Sequence, residues 1–473
     1  MTLPWSEDYS WQSPIGTQQM TTILHDMFRA GLRGVDKTPA TSRMMAYIMP
    51  HAPGTTAKMW RRSMYGYLAH GVTMINLYEF RPCMAAYTEN YVDTGWGIYG
   101  AVRQGFAELS SFEDIVQDGR VAYGDVGIWN SETMDIWGPP SQPIGLTGEH
   151  FDTFLAAKRS LYIALQHSEL AVDMVVEDDI GPTLNSYKLI VLTDSHVSLK
   201  ASAGLTAWVA AGGTLLATAG AGSFDELNKT NAIMQKLLGV ATSHGLYEPT
   251  GTGVQFIKQD LLNATVVGNV SFAGNASAAG PTPTMPAVAV RHIFTPAAGS
   301  SVIATFNDTA AKPPAGVRTV TGKGVALYYA FHPGLSYFLP AIPLVPTDRG
   351  GLDTSSTHFI PSAYDPGVLA LIKNATDTAS TTRQVNCSHH LVHGKIIVSK
   401  TGKGVAVPLV NWVGTGIESL PNLTVTVTHP AVKPGMKATL ATGGKVTELP
   451  SGGGAAGVTY ALDLGIADAL ILR

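Results

Sequence analysis

The stretch Arg43–Pro82 constrains this chain most. It reads RMMAYIMPHAPG, then TTAKMWRRSMYGYLAHG, then VTMINLYEFRP. The apolar runs Met44–Met49 and Val72–Leu77 lack the alternation of a half-exposed strand, so both faces of each are expected to be covered, as in a parallel sheet. Between them Trp60, Met64 and Leu68 fall at helical spacing, and His70-Gly71 supplies a helix stop. Strand, helix, strand with polar groups just past the strand ends is one step of a (β/α) barrel. Such barrels carry their chemistry at the C-terminal ends of the strands. The residues delivered there are His51 after the first run and Tyr78, Glu79 and Arg81 after the second.

Upstream, Leu3–Tyr9 reads as a strand end that delivers Trp5, Glu7 and Asp8 into a loop. Adjacent carboxylates beside aromatic rings suit sugar binding or acid–base work; local capping by Ser6 or Asp8 is the structural alternative. Met20–Leu32 has the spacing of an amphipathic helix with Ile23, Leu24, Met27 and Phe28 on one face, and Gly97–Ser111 is a further helix carrying Val102, Phe106 and Leu109. Three strand–helix steps are readable where a closed barrel takes eight, so the chain is expected to open part-way through a barrel.

After the strand-like Val126–Trp129 comes a Pro- and Gly-rich linker, Gly138–Gly148. Strand and helix patterns then alternate: helix Phe154–His167 capped by Asp152, strands Ala171–Val176 and Lys188–Thr193, helix Ala203–Ala211, and strand Leu215–Thr218. Strands Ser301–Phe306 and Gly324–Phe331 follow a Gly/Ala/Pro/Ser-rich insertion, Gly268–Pro286, and Pro366–Asn374 closes the unit. This alternation predicts a doubly wound parallel sheet. Gly220-Ala221-Gly222 follows a strand as a phosphate loop would, but neither the Lys-Ser/Thr of a P-loop nor a dinucleotide fingerprint accompanies it. No cofactor is expected. Beyond Asn386 short strands separated by Gly, Asn and Pro turns predict a small β-sandwich. His389, His390 and His393 cluster there without a carboxylate or thiolate at ligand spacing, so no metal site is assigned.

The order of these parts resembles the β-galactosidases of glycoside hydrolase family 42. YIMPHAPG with the MWRRSMYGYLAHGV helix is similar to that family's seventh barrel strand and following helix, and YKLIVLTDSHVS…LTAWVAAGGTLLATAGAG is similar to its trimerisation domain. The resemblance implies a partial (β/α)8 barrel over 1–137, an amidotransferase-like α/β domain over 150–380 and a C-terminal β-sandwich over 386–473. The middle domain cannot perform amidotransferase chemistry, because no Cys lies between Cys83 and Cys387. The resemblance also implies a β-galactoside-like carbohydrate as substrate and a homotrimer. Family members use two Glu, one at the end of strand seven and one at the end of strand four. Here Met49-Pro50-His51 occupies the strand-seven position, and strand four would precede Met1. Glu79, Glu7 and Asp8 remain as candidate catalytic carboxylates, with Trp5, His51, Tyr78 and Arg81 as candidate sugar contacts. The competing expectation is a non-catalytic carbohydrate-binding or assembly protein.

Composition narrows the partners. With 473 residues and a net charge of −4, the chain has cores to bury and no basic surplus for nucleic acid or an anionic membrane. No run of about 18 apolar residues predicts a membrane span. The opening MTLPWSEDYSWQ has neither the basic nor the apolar region of a signal peptide. Against that stand eight N-x-S/T triplets, at Asn228, Asn263, Asn269, Asn275, Asn307, Asn374, Asn386 and Asn422. They read either as a secreted glycoprotein or as the by-product of a Thr/Ala/Gly-rich surface.

Overall fold

The computed structural model describes residues 3–7, 17–35, 43–50, 55–77, 97–137, 143–144, 149–150, 153–247, 265–272, 284–341, 363–414, 417–454 and 457–473. Strands Trp5–Glu7, Met45–Tyr47 and Met74–Asn76 lie side by side and parallel. Helices Thr17–Val35 and Ala57–Ala69 connect them. The second helix starts at Thr56, whose hydroxyl accepts from the Met59 amide at 3.2 Å. It stops at Gly71, whose φ of 92° lies in the left-handed region that only glycine enters cheaply. Trp60, Met64 and Leu68 are buried as their spacing predicts.

Two expectations for this segment are corrected. Met44–Met49 is covered on both faces, but Met74 and Ile75 are half-buried and Asn76 is exposed. Met74–Asn76 is the outer strand of the described sheet, so one side lacks a neighbour. The first helix also buries a different face. Leu24 and Met27 are each 37% exposed, while Met20, Thr22, Ile23, His25, Asp26 and Ala30 point inward. Its inward stripe is half polar, and apolar periodicity cannot find a stripe of that kind.

A nine-stranded sheet forms the centre of the chain. Strands Gly324–Tyr329, Thr214–Ala217, Leu189–Leu192, Val126–Asn130 and Val172–Val176 run parallel in that spatial order. Helices Thr153–His167, Leu199–Ala211, Pro333–Phe338 and Pro366–Ala379 cover it. Val126–Asn130, which precedes the Pro/Gly linker, therefore sits inside this sheet.

The sheet is not parallel throughout. Pro314–Thr321, Ser301–Phe306, Val266–Phe272 and Thr284–Val288 extend it in antiparallel pairs. The connections decide this: two residues separate Thr321 from Gly324, whereas a parallel return takes a dozen or more. The Gly/Ala-rich stretch read as an insertion thus contributes parts of two of these strands. Val240–Tyr247 and Arg291–Pro296 form a separate antiparallel ribbon.

The C-terminal residues form two facing sheets. The larger holds Ile397–Ser399, Val405–Asn411, Ala438–Thr442, Lys445–Leu449 and Ala467–Leu472; the smaller holds Val385–Cys387, Leu420–Val427 and Val458–Leu464. Val407, Leu409, Val425, Leu464 and Leu470 fill the space between them. Gly119–Val121 adds an edge strand to the larger sheet beside Ile397–Ser399. The outer face of that sheet packs on the helix Ala57–Ala69, so Trp60, Met64, Val410 and Trp412 belong to one core. Among the described residues no helix is long and apolar enough to cross a membrane.

Candidate functional site

Side chains alternate across a strand, and paired residues on parallel neighbours share a face. One face of the three-stranded sheet carries Ser6, Ala46 and Ile75 towards the helices. Ser6 is buried and shares a 2.8 Å hydrogen bond with His25 of the first helix. The opposite face carries Trp5, Met45 and Met74 in one row and Glu7, Tyr47 and Asn76 in the next. Trp5 is 51% exposed, and its ring meets Tyr47 edge-on at 5.6 Å. Glu7 and Asn76 are exposed, and the Asn76 amide also touches the Met45 sulfur at 2.9 Å.

Glu7, Tyr47 and Asn76 form the row nearest the C-terminal ends of the strands. A carboxylate, a phenol and a carboxamide in register, flanked by an indole, offer hydrogen-bond acceptors and donors beside a flat apolar surface. That combination suits a sugar, which has hydroxyls around its rim and C–H groups on its faces.

Of the residues singled out in the sequence, Trp5 and Glu7 fall on this strip. Asp8, His51, Tyr78, Glu79 and Arg81 lie outside the described residues. Tyr47 and Asn76 were missed, although each stands two residues past a methionine on its own strand. Only the pairing register, which the sequence does not give, sets them beside Glu7.

A buried polar junction backs the strip. Asp26 accepts from Lys395 Nζ at 2.9 and 3.0 Å, from the Tyr162 hydroxyl at 2.8 Å and from Arg29 at 2.6 Å. His70 Nδ1 reaches the same carboxylate at 3.0 Å, and its Nε2 meets His393 Nε2 at 3.0 Å. Arg29 bridges on to Asp173 at 2.8 Å. These groups come from the first two helices, the central α/β layer and the C-terminal sandwich.

Burial alone would push the Asp26 carboxyl up. His70, Lys395 and Arg29 reverse this and hold it well below the usual carboxylate range. Burial pushes His70 down to about 4 and His25 down to about 3, so both are neutral at pH 7. Asp26, His70 and Lys395 are at most 1% exposed at their side chains. These three groups are therefore closed off from solvent.

A cavity of about 150 Å³ lies before the starts of the strands, lined by Arg29, Arg33, Met44, Thr73 and Tyr123 among others. Arg29 already pairs with Asp26 and Asp173, and Arg33 with Asp179 at 2.9 Å. The cavity sits at the end of the strands opposite the Glu7 row.

The remaining candidates separate. His389 and His390 stack on each other at 5.4 Å, whereas His393 is buried against His70. Among the described residues no three His, Cys, Asp or Glu side chains converge as a metal would require. His332 is fully buried at the start of helix Pro333–Phe338, with Nδ1 3.3 Å from the Thr218 hydroxyl.

Parts of the chain are similar to known proteins. Residues 150–339 match the family model for the β-galactosidase trimerisation domain. No curated protein matches the chain. Among solved structures, a β-galactosidase from Bacillus circulans sp. alkalophilus superposes with a TM-score of 0.64 at 14% identity, covering 96% of this chain and 58% of its own. The cold-adapted β-galactosidase from Rahnella sp. R3 gives 0.64 at 18% identity, covering 98% and 58%. A catalytic mutant of a GH42 β-galactosidase from G. stearothermophilus gives 0.63 at 14%, covering 96% and 57%. This chain thus spans under three fifths of the length of each of these enzymes, and at such identities the likeness is one of fold. Residues 150–339 carry the trimerisation domain of the family 42 β-galactosidases, and the chain around them shares the fold of those enzymes.

Proposed function

We propose that this is a glycoside-hydrolase-like, carbohydrate-binding protein that holds a β-galactoside-like sugar against Trp5, Glu7, Tyr47 and Asn76. The observation that carries the reading is the register of those last three polar groups at the strand ends, beside an exposed indole. In this reading the three parallel strands are an arc of a (β/α)8 barrel. His51, Tyr78 and Arg81, which follow the second and third strands in sequence, add sugar contacts. The α/β domain assembles the chain as a homotrimer, supported by its match to a trimerisation domain.

Catalysis has departed from the family's form. Retaining hydrolysis takes a nucleophile and an acid/base about 5–5.5 Å apart. The position that resembles the family's nucleophile reads Met49-Pro50-His51. Neither a thioether nor a proline ring can form the glycosyl ester, and an imidazole makes a poor substitute for a carboxylate there.

A panel of chromogenic β-galactosides, tested for both binding and turnover, decides the matter. Binding without turnover is expected. Turnover abolished by Glu79→Gln, Glu7→Gln or Asp8→Asn would instead assign hydrolysis to those carboxylates.

A further inference from the structure

The asparagines of this chain fall into two groups that the fold treats differently. Eight of the fourteen stand in N-x-S/T triplets, all from residue 228 onward. The six of these within the described residues, Asn228, Asn269, Asn307, Asn374, Asn386 and Asn422, are all exposed. The asparagines outside triplets behave otherwise: Asn231 and Asn411 are fully buried, Asn130 is half-buried, and Asn76 and Asn185 are exposed. Triplets arising by accident of composition would follow the second pattern. We infer that these asparagines are N-glycosylation sites and that the protein passes through a compartment that attaches oligosaccharides to them.

Local structure supports the assignment most directly at Asn228 and Asn422. The hydroxyl residue two positions on is also exposed at Thr230, Thr309, Ser388 and Thr424. Asn228 and Asn422 adopt φ of 55° and 54°, in a turn and at a strand irregularity, where the backbone stands clear of a regular ladder. The Asn228 carbonyl faces His196 Nε2 at 2.9 Å, which leaves the nitrogen that carries the sugar unengaged by that contact. Asn386 and Asn422 lie on the outer side of the three-stranded sheet, opposite its packed face. Asn269 and Asn307 are neighbours: the Asn307 backbone N–H donates to the Asn269 backbone carbonyl at 2.7 Å, and the exposed Asn307 carboxamide donates to the Ser271 hydroxyl, a surface contact that has to open for the sugar to be attached. Thr376, the hydroxyl partner of Asn374, is buried in a helix and bonds the Lys373 carbonyl at 2.9 Å, so that site is modified before the helix closes.

The chemistry is ordinary group transfer from a polyprenyl-diphosphate-linked oligosaccharide. The asparagine Nδ2 forms a bond to sugar C1 and gives up a proton. The C1–O bond to the diphosphate breaks, and its electron pair leaves with the lipid diphosphate. None of the six sites lies on the Trp5, Glu7, Tyr47 and Asn76 strip, so the inference stands whether or not that strip binds sugar.

The test uses full-length protein isolated from its own cells and digested with peptide-N-glycosidase F in heavy-oxygen water, which marks each released site as a labelled aspartate. Labelled peptides at Asn269, Asn307 and Asn422 are expected, together with a loss of apparent mass for the whole chain. Asn130, exposed to the same enzyme but outside a triplet, stays unlabelled. Thr309→Ala expressed in those cells is expected to remove label at Asn307 alone. Unmodified asparagine in all six peptides would overturn the inference. So would label at Asn307 that survives Thr309→Ala.

Discussion

Lys395 of the C-terminal sandwich closes on Asp26 of the first helix at 2.9 Å, with both side chains at most 1% exposed. Residues far apart in sequence are thereby held on one carboxylate, which His70, Tyr162 and Arg29 also reach. Removing one partner of a buried pair costs about 3–5 kcal/mol, because the other charge stays buried without compensation. Lys395→Met is therefore expected to lower the unfolding free energy by that amount in urea titrations. The double variant Asp26→Asn with Lys395→Met is expected to recover part of the loss.

The buried imidazoles set the acid limit of the fold. Burial pushes His25, His167 and His332 down to about 3 and His70 and His292 to about 4. Unfolded, each takes up a proton near pH 6.5, while the folded chain keeps it neutral until far lower pH. The unfolded state thus binds more protons below pH 6.5, and stability falls with pH by about 1.4 kcal/mol per unit for each such histidine. Stability contributed by the depressed Asp26 carboxyl is retained in this range, since it is lost only below the usual carboxylate value. Urea midpoints are expected to be flat above pH 7.5 and to drop steeply between pH 6.5 and 5.

Two glycines make a paired prediction. A Cβ on Gly334 would stand 2.4 Å from the Leu161 amide and 2.6 Å from the Ala157 carbonyl, where helix Pro333–Phe338 crosses helix Thr153–His167. Backbone atoms cannot swing aside, so Gly334→Ala is expected to cost about 1–3 kcal/mol or more. Gly31 lies exposed in the first helix with nothing within 4 Å of its Cβ position. Gly31→Ala is expected to raise stability by about 0.5–1 kcal/mol. Thermal melts of the two variants beside the parent chain check both signs.

How much of this was legible in the sequence varies with the kind of contact. The helix Ala57–Ala69 was readable because Trp60, Met64 and Leu68 repeat at helical spacing and Gly71 stops it, although Arg61 and Arg62 are buried beside them. The inward face of Thr17–Val35 was not, because Thr22, His25 and Asp26 are buried there by partners distant in sequence. The antiparallel half of the central sheet was not readable, because an apolar run marks a strand but not its direction. Thr284–Val288 carries Pro286 and ends the sheet, a position that tolerates a residue without an amide donor. On the strip, Trp5 and Glu7 stood out as an aromatic beside an acid. Tyr47 and Asn76 gained meaning only once the strand register set them beside Glu7.

The sugar strip is the centre of the account, and titration calorimetry of the full-length protein with methyl β-galactoside tests it most directly. Saturable binding is predicted for the parent chain. Trp5→Ala and Asn76→Ala are each predicted to weaken it by at least tenfold, a loss of about 1.4 kcal/mol, with the urea midpoint unchanged. Binding of equal strength in both variants, or no heat from the parent chain with this and other pyranosides, would contradict it.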